Sequence, residues 1–170
     1  GIRAYEIPTS ARTARGHPIP SALPQLTAGE VVTTVLPVTD FNDPNEYLVL
    51  ATEHGWFKKT SMAAFESLSS RGLVIAKLKD GDRLLWCQRC RDGSDILVGT
   101  SNGMATRFLA DKLRPTARSS RGVRAMKLKE GDRIADVNII AANETGAEFV
   151  LAVTSNGFGK RIRTENFRTQ

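Results

Sequence analysis

Two cysteines, Cys87 and Cys90, are the residues whose types and spacing most resemble a chemical motif. A Cys-x-x-Cys pair serves redox exchange when its first cysteine begins a helix, because the helix dipole lowers the thiol pKa. Here the pair ends a predicted strand, and no βαβ pattern surrounds it. Zinc would need a second pair of ligands, whereas His17 and His54 each stand alone. The sequence therefore predicts two ordinary thiols, no metal site and a reducing compartment.

Other signatures of enzyme chemistry are missing from the sequence. There is no glycine-rich phosphate loop followed by Lys and Ser or Thr. The Gly-x-Ser-x-Gly spacing at residues 99–103 falls on a predicted hairpin turn and not on a strand-to-helix turn, so no nucleophile elbow is predicted. The closely spaced acids Asp80 and Asp82 return as Glu130 and Asp132, on either side of a glycine. Recurrence at glycine turns is typical of turn-forming acids. We therefore predict no catalytic residue in this chain.

The overall charge favours a polyanionic partner. Lys and Arg number 24 against 18 Asp and Glu, a formal net charge of +6, and neutralising phosphates releases condensed counterions. No apolar run approaches the roughly 18 residues that cross a bilayer, and no signal peptide is visible, so no membrane association is predicted. The chain starts in mid-pattern at Gly1, which predicts a piece of a longer protein.

Three segments superpose on one another, and each consists of an apolar strand, a turn and a second strand. They cover residues 48–60, 96–108 and 150–162. Asn102-Gly103 and Asn156-Gly157 predict two-residue type I′ turns, and His54-Gly55 fills the same place.

A second motif follows the hairpins and sets the length of the repeat. Residues 70–82 return as residues 120–132, and a looser copy covers residues 14–30. The Arg-Gly pairs begin at residues 15, 71 and 121, so the period is near 50 residues. Four short strands in such a period indicate a propeller blade. We predict an all-β, propeller-like array in one domain, residues 1–170, with repeats 1–46, 47–94, 95–148 and a partial repeat 149–170.

Aligning the repeats places cations in two recurring positions. The hairpin cations follow the turn glycine: Lys58, Lys59, Arg107, Lys160 and Arg161. The loop arginines surround the Arg-Gly pairs: Arg12, Arg15, Arg71, Arg118, Arg121 and Arg124. Equivalent positions of a radial array would form a positive arc, and the adjacent glycines would let backbone N–H groups approach a phosphate. We predict that these eleven residues contact DNA, although cations can also simply hydrate exposed strand edges.

The aromatic residues favour duplex DNA over single strands. Most of the 7 Phe, 2 Trp and 2 Tyr residues occupy predicted strand positions. One repeat position, held by Ile7, Phe65, Leu113 and Phe167, is predicted to be core. Few rings therefore remain to stack on bases. A curved basic surface without base-reading helices suits duplex bending through phosphate contacts.

In these features the chain resembles the C-terminal domain of the DNA gyrase A subunit. The resemblance is carried by residues 4–8, 12–16, 36–41, 55–60, 116–122 and 154–161, in the same order. It implies a β-pinwheel, a propeller-like ring whose neighbouring blades exchange strands, with three to four blades in this chain. It also implies that double-stranded DNA wraps around a basic outer rim and so supports negative supercoiling.

The resemblance also implies the partners and the location. The catalytic tyrosine, ATP and magnesium would lie elsewhere in an A2B2 holoenzyme, formed with the remainder of gyrase A together with gyrase B, so no cofactor is expected here. A bacterial cytoplasm, at the nucleoid, is the expected location, with a plastid or mitochondrion as alternatives. The family's Gln-Arg-Arg-Gly-Gly-Lys-Gly box has no match and is expected to precede Gly1.

Three other functions stay open. One is the corresponding domain of topoisomerase IV, which the upstream box would distinguish. Another is a propeller that serves as a protein-interaction scaffold for an acidic partner. The third is an enzymatic propeller, which would need clustered carboxylates or metal ligands in a central funnel.

Overall fold

Antiparallel β-strands make up most of the regular structure. The computed structural model describes residues 1–67, 69, 71–142 and 149–170; the predicted repeat boundary after residue 148 lies outside them. The strands are β1 (Glu46–Thr52), β2 (Trp56–Ser61), β3 (Leu84–Arg91), β4 (Asp95–Thr100), β5 (Ala105–Leu109), β6 (Val123–Arg124), β7 (Ile134–Ile140), β8 (Phe149–Val153) and β9 (Gly159–Arg163). Short helical turns are α1 (Ile19–Ala22) and the 3-10 helices Ala4–Glu6, Met62–Phe65, Ala110–Lys112 and Thr164–Asn166. No helix in these residues is long and apolar enough to cross a membrane.

The strands form three sheets that repeat one plan. Blade 1 has the strand order β3-β1-β2-β6, in which β1 pairs antiparallel with both β2 and β3. Blade 2 has the order β5-β4-β7, with β4 in the place of β1. Blade 3 consists of the hairpin β8-β9. The predicted all-β array of hairpin-based blades is confirmed.

Blade 1 takes its last strand from the next repeat. β6 follows the β4-β5 hairpin in the chain but pairs with β2, where Trp56 lies opposite Arg124. Just before β6, the amide of Thr116 donates to the carbonyl of Lys59 at 2.9 Å. In blade 2, the amide of Gln170 donates in the same way to the carbonyl of Arg107 at 2.8 Å. These bonds confirm the predicted exchange of strands between neighbouring blades.

The main apolar core fills the space between blades 1 and 2. Its buried members come from both sheets and from the segment after β5: Val49, Ala51, Phe57, Cys90, Ile96, Val98, Phe108, Ala110, Leu113, Ile134 and Val137. The rings of Phe57 and Phe108 meet edge to face, with centroids 5.9 Å apart, a favoured aromatic geometry. Burial of this apolar surface holds the two blades face to face.

The two blades approach most closely at β3 and β7. The side-chain amide of Gln88 on β3 donates to the carbonyl of Val137 at 2.8 Å and accepts from the amide of Ile139 at 3.2 Å. The ring N–H of Trp86 donates to Asp136 at 3.2 Å. Because the blades of a propeller fan out from its axis, β2, β6 and their flanking segments form the outer rim.

The hairpin turns are not the predicted type I′ turns. Type I′ needs positive φ at both central residues, yet only glycines have positive φ in the described part of the chain, including Gly103 at 77°. The amide of Thr100 donates to the carbonyl of Met104 at 2.8 Å, and the amide of Gly103 donates to the carbonyl of Thr100 at 3.0 Å. Residues 101–103 therefore form a three-residue loop with a glycine bulge.

A threonine explains the different turn. The hydroxyl of Thr100 accepts the amide of Met104 at 3.3 Å, and Thr52 and Thr154 make the same bond in the other hairpins. This second bond secures the longer loop. The prediction was wrong because it considered the Asn-Gly pair alone.

Asp82 and Asp132, the last residues of the motif copies 70–82 and 120–132, stabilise the hairpin turn of their own blade. Asp132 is buried, and its Oδ1 accepts the hydroxyl of Ser101 at 2.9 Å and the amide of Asn102 at 3.1 Å. Asp82 accepts the amide of His54 at 3.1 Å in the same manner. The structure thus gives both acids a structural role.

Residues 1–45 contain no strand. The segment after Glu30 corresponds to β3 and β7, which pair with hairpins that precede them in the chain, and no hairpin lies within residues 1–45. For the same reason the predicted core position is only partly filled: Phe65 and Leu113 are buried, whereas Ile7 is 52% exposed. The expectation of a core residue at Ile7 is therefore wrong in this chain.

Candidate nucleic-acid interface

Lys59, a predicted DNA contact, lies inside the molecule. Its side chain is 2% exposed, and its ammonium group is 2.5 Å from Asp92 and 3.9 Å from Asp111. It also lies 4.1 Å from the ring centroid of Tyr47 and donates to the carbonyl of Ala110 at 3.4 Å. The hydrogen bond from Lys59 holds the pKa of Asp92 below its usual value. The structure therefore gives Lys59 a structural role instead of the predicted phosphate contact.

Arg107 has the same role in blade 2. Its guanidinium group is 2.5 Å from Asp95 and donates to the carbonyl of Thr164 at 3.0 Å. Thr164 and Ala110 each begin a 3-10 helix that follows the next hairpin in the chain. Lys59 and Arg107 thus both fasten their blade to the following one. Arg107 is nevertheless only half-buried, so DNA contact at this residue stays a prediction. The repeat alignment was right that they share a position, but that position faces inward.

Lys58 is the second predicted contact that is buried. Successive residues of a strand point to opposite faces, so Lys58 leaves β2 on the face opposite to Lys59. It is 3% exposed, and its ammonium group donates to the carbonyl of Ile75 at 2.6 Å and to that of Arg118. Burial lowers the pKa of Lys58. This side chain is too enclosed to meet a phosphate directly.

The two carbonyls that Lys58 binds belong to two Arg-Gly loops from different repeats. We name residues 71–77 loop A and residues 114–122 loop B. The loops are also joined directly, since the amide of Lys77 donates to the carbonyl of Ser120 at 3.3 Å. Loop A and loop B therefore lie side by side at the outer edge of blade 1.

Gly122 allows loop B to lie flat on β2. A Cβ atom at this position would collide with the carbonyl oxygen of Phe57 and press on the side chain of Lys58. The φ of Gly122 is +91°, a conformation that side chains other than glycine rarely adopt. The glycine of the Arg-Gly pair thus serves close packing of the loop.

Cations on these loops and their continuations face solvent. Arg71, Arg121 and Arg124 are exposed, and Arg118 is half-buried. The ring of Trp56 lies close to two of the cations, with Lys79 4.6 Å and Arg124 5.7 Å from its centroid. We call the following set the rim cations: Arg71, Lys77, Lys79, Arg118, Arg121 and Arg124. Within the described residues none of the six lies within 4.0 Å of a carboxylate oxygen.

Lys77 and Lys79 were missed by the sequence reasoning. Both are exposed, and Lys77 is bonded through its backbone to loop B. A signal was present, because the Lys-Leu-Lys triplet at residues 77–79 recurs at residues 127–129. The predicted contacts comprised the recurring cations of the hairpins and of the Arg-Gly pairs, but not this triplet.

The remaining predicted contacts are exposed but not joined to loops A and B. Arg12 and Arg15 lie in the strand-free segment 1–45, and Lys160 and Arg161 lie on β9. Arg161 stacks over the ring of Phe149 at 4.2 Å. DNA contact at these four residues stays a prediction.

Part of the looser copy of the second motif, residues 14–30, nevertheless lies next to loop A. A shallow groove is lined by Leu23, Leu26 and Glu30 on one side and by Arg71 and Val74 on the other. The chain between Leu23 and Glu30 therefore lies beside loop A.

The cysteines are not arranged for redox chemistry. Cys87 and Cys90 are both free, and their odd spacing on β3 places them on opposite faces of the sheet. Burial raises the pKa of Cys87 to about 11 and also raises that of Cys90. Among the described residues, no three His, Cys, Asp or Glu side chains form a cluster that could hold a metal ion.

Three stretches of the chain match one protein family. Residues 46–91, 94–141 and 148–170 match the family described as "DNA gyrase C-terminal domain, beta-propeller". The chain belongs to this DNA gyrase C-terminal domain family. Its hairpins, strand exchange and Arg-Gly pairs are therefore features of a gyrase C-terminal domain.

Curated relatives of this gyrase C-terminal domain are much longer proteins. The DNA gyrase A protein of Synechocystis is 33% identical over 199 residues, which cover 99% of this chain and 23% of that protein. The chloroplastic/mitochondrial DNA gyrase A protein of Arabidopsis thaliana is 33% identical over 182 residues, covering 98% of this chain and 19% of that protein. The chain thus spans about a fifth of the length of these relatives.

Two solved structures share the fold of this gyrase C-terminal domain. The DNA gyrase A C-terminal domain superposes with a TM-score of 0.77 at 27% identity, covering 99% of this chain and 52% of that one. The C-terminal domain of DNA topoisomerase IV superposes with a TM-score of 0.81 at 25% identity, covering 91% of this chain and 47% of that one.

Proposed function

We propose that this chain binds double-stranded DNA as part of a gyrase A protein, and that the rim cations contact the DNA backbone. The observation that carries the proposal is the pairing of loop A with loop B. This pairing gathers at one edge of blade 1 six cations that have no carboxylate partner among the described residues. The named relatives are gyrase A proteins, which agrees with this proposal.

The rim suits phosphate contacts more than base recognition. The described strands and short turns offer no long helix to enter a major groove, which is the usual means of direct base readout. Contacts to phosphates fix the position of a duplex without reading its sequence. A curved row of such contacts favours bending the duplex along the rim.

In the complete protein, this binding would wrap DNA and so support negative supercoiling. The catalytic tyrosine, ATP and magnesium would lie in other parts of an A2B2 holoenzyme, and this domain would supply no catalytic residue. The protein would work in a bacterial cytoplasm or in an organelle, since relatives of both kinds occur.

A salt titration of duplex binding tests the proposal. Six phosphate contacts would give a log–log slope of about −5 for the affinity against salt. Replacing Arg71, Arg121 and Arg124 together by Ala should reduce the magnitude of the slope by roughly 3 units. It should also weaken binding to duplexes of unrelated sequence by the same factor.

A control variant removes the same charge elsewhere. Arg83, Arg91 and Arg133 are exposed, but each forms a salt bridge with a carboxylate. Their joint replacement by Ala should leave the slope nearly unchanged. Equal losses in both variants would mean that only net charge matters, and the proposed surface would be wrong.

The corresponding domain of topoisomerase IV is the second candidate, because its fold matches this chain equally well. The names of the curated sequence relatives favour gyrase. Sequencing the coding region upstream of residue 1 would separate the two. A Gln-Arg-Arg-Gly-Gly-Lys-Gly box supports gyrase, and its absence supports topoisomerase IV.

A further inference from the structure

We propose that Lys58 is a positioning residue for DNA binding, which joins loops A and B into one surface without touching DNA. This inference rests on the proposed function and adds a residue that acts behind the rim. It starts from an unusual observation, a buried lysine whose partners are backbone carbonyls of two separate loops.

The geometry makes Lys58 the main connection between the loops. Loop A belongs to the repeat of blade 1, whereas loop B belongs to the following repeat and reaches β2 through strand exchange. The ammonium group of Lys58 bonds Ile75 in the first loop and Arg118 in the second. The other backbone link, from Lys77 to Ser120, is long at 3.3 Å. Two charge-assisted bonds from one ammonium group are stronger than this single neutral bond.

In the described part of the chain, the positive charge of Lys58 is stabilised by the dipoles of two backbone carbonyls and not by a carboxylate. No carboxylate oxygen there lies within 4.0 Å of its ammonium group. Burying an ammonium group without a counter-charge is costly, which agrees with the lowered pKa of Lys58. A phosphate bound by loop B would bring a negative charge close to this buried cation. Bound DNA would therefore stabilise the clasp, by which we mean the two hydrogen bonds from Lys58 that hold loops A and B together as a binding surface.

The repeats show that the blade itself does not require this lysine. The equivalent residue of blade 2 is Thr106, which is also buried and is too short to span two loops. A threonine at this position is therefore compatible with the same hairpin. Lys58→Thr is consequently a variant in which the blade is expected to fold while the loops lose their clasp.

A double-mutant cycle tests the inference on the folded chain. Duplex affinity is measured for the native protein, Lys58→Thr, the pair Arg71→Ala with Arg121→Ala, and all three changes together. Lys58→Thr should weaken binding about tenfold, the size of one lost hydrogen bond to a charged group. In the background without the two arginines, its effect should fall below about twofold, because the loops it positions no longer bind phosphate.

A second measurement reports on the loops directly. Hydrogen exchange of the Lys77 amide should become faster in Lys58→Thr without DNA, while exchange in β1 and β4 stays as in the native protein. Lys112→Thr is the control for loss of one positive charge, because Lys112 bonds the carbonyl of Gln170 instead of the rim loops. It should change neither the Lys77 exchange rate nor the affinity by more than about twofold.

The outcomes separate failure of this inference from failure of the proposed function. If the two arginine changes weaken binding but Lys58→Thr does not, the inference alone is wrong. It is also wrong if Lys58→Thr costs the same in both backgrounds, since Lys58 would then act on DNA by its charge. If the two arginine changes leave affinity intact, the proposed surface is wrong and the inference fails with it.

Discussion

At the scale of single residues, two adjacent lysines on β2 serve different connections. Lys59 points into the contact with the next blade and meets Asp92 and Asp111, whereas Lys58 points to the rim loops. The alternation of strand side chains divides them in this way. Each buried ammonium group therefore joins segments that are far apart in the sequence.

Replacing Lys59 by Met should lower the free energy of unfolding by about 1–3 kcal/mol. The value lies below the 3–5 kcal/mol of a fully buried broken pair because Asp92 remains 47% exposed and can be hydrated. Urea unfolding measures the change, with Lys129→Met as an exposed control. Duplex affinity well below the melting temperature should stay within about twofold; a tenfold loss would restore Lys59 as a DNA contact.

The same pair predicts a pH dependence. The pKa of Asp92 is lowered in the folded protein, chiefly by its hydrogen bond from Lys59. The stability that Asp92 contributes to the folded protein is therefore present above the ordinary carboxyl pKa and is lost as the pH falls through the folded-state pKa. The stability difference between the native protein and Lys59→Met should shrink from pH 7 to pH 3. A difference that is constant over this range would contradict the assignment.

The cysteines should be slow to react in the folded protein. With its pKa raised to about 11, roughly one in a thousand Cys87 thiols is ionised at pH 8, and the thiolate is the reactive form. We expect alkylation by iodoacetamide to be on the order of 100-fold slower than in the urea-unfolded chain. Mass spectrometry over time measures both rates, and similar rates would argue for an activated thiol.

Sequence could find the recurring cations but not their surroundings. The shared position of Lys59 and Arg107 is visible in the alignment, yet the blade that covers it is supplied by residues about 50 positions further on. Whether such a side chain faces solvent depends on this packing, which has no local signal. Lys77 and Lys79, in contrast, could have been found from the repeated Lys-Leu-Lys triplet.

At the scale of elements, strand exchange depends on a close approach between loop B and β2. Gly122 touches the backbone of Phe57, whereas Gly72, its counterpart in loop A, has open space within 4 Å of the point where a Cβ would lie. Both glycines have positive φ, 91° and 78°. Substitutions at these two glycines therefore separate the cost of backbone strain, which both share, from the cost of a collision with β2, which only Gly122 has.

Gly122→Ala should destabilise the protein more than Gly72→Ala. Both changes carry a strain of about 1 kcal/mol or more, and only the first adds a collision, worth a further 1–3 kcal/mol or so. Urea unfolding of the two variants gives the difference. Equal destabilisation would mean that loop B moves away from β2 at little cost.

The hairpins were predictable because their signal is local. An apolar run and a glycine turn recur at residues 48–60, 96–108 and 150–162, where the structure has β1-β2, β4-β5 and β8-β9. β6 was not predictable from its own residues, since Val123 and Arg124 carry no strand pattern. Their conformation is set by pairing with β2.

At the scale of the whole molecule, the three blades differ in how fully they are covered. Val49 of β1 is 2% exposed, because blade 2 packs over it, whereas the equivalent Leu151 of β8 is 69% exposed. Blade 1 has strands or links on both faces. Within the described residues, blade 3 is fastened through its following segment, where Gln170 meets Arg107.

Hydrogen exchange should follow this gradient. Amides of β1 and β4, which are central strands between packed sheets, should exchange slowest, and those of β8 fastest. Exchange measured by mass spectrometry on the intact chain checks the order. Slow exchange in β8 would show that another surface covers blade 3 in solution.

The exchanged strand has a consequence for how the array can change in length. Excising one whole sheet would remove residues from two separate places in the chain and leave both flanking hairpins uncovered. Excising one repeat instead lets the next link take over the vacated place beside β2. Insertions and deletions of about 50 residues, starting at any point of the repeat, therefore keep every remaining sheet complete. A gene for such a protein can lengthen or shorten by unequal recombination without first inventing a new interface.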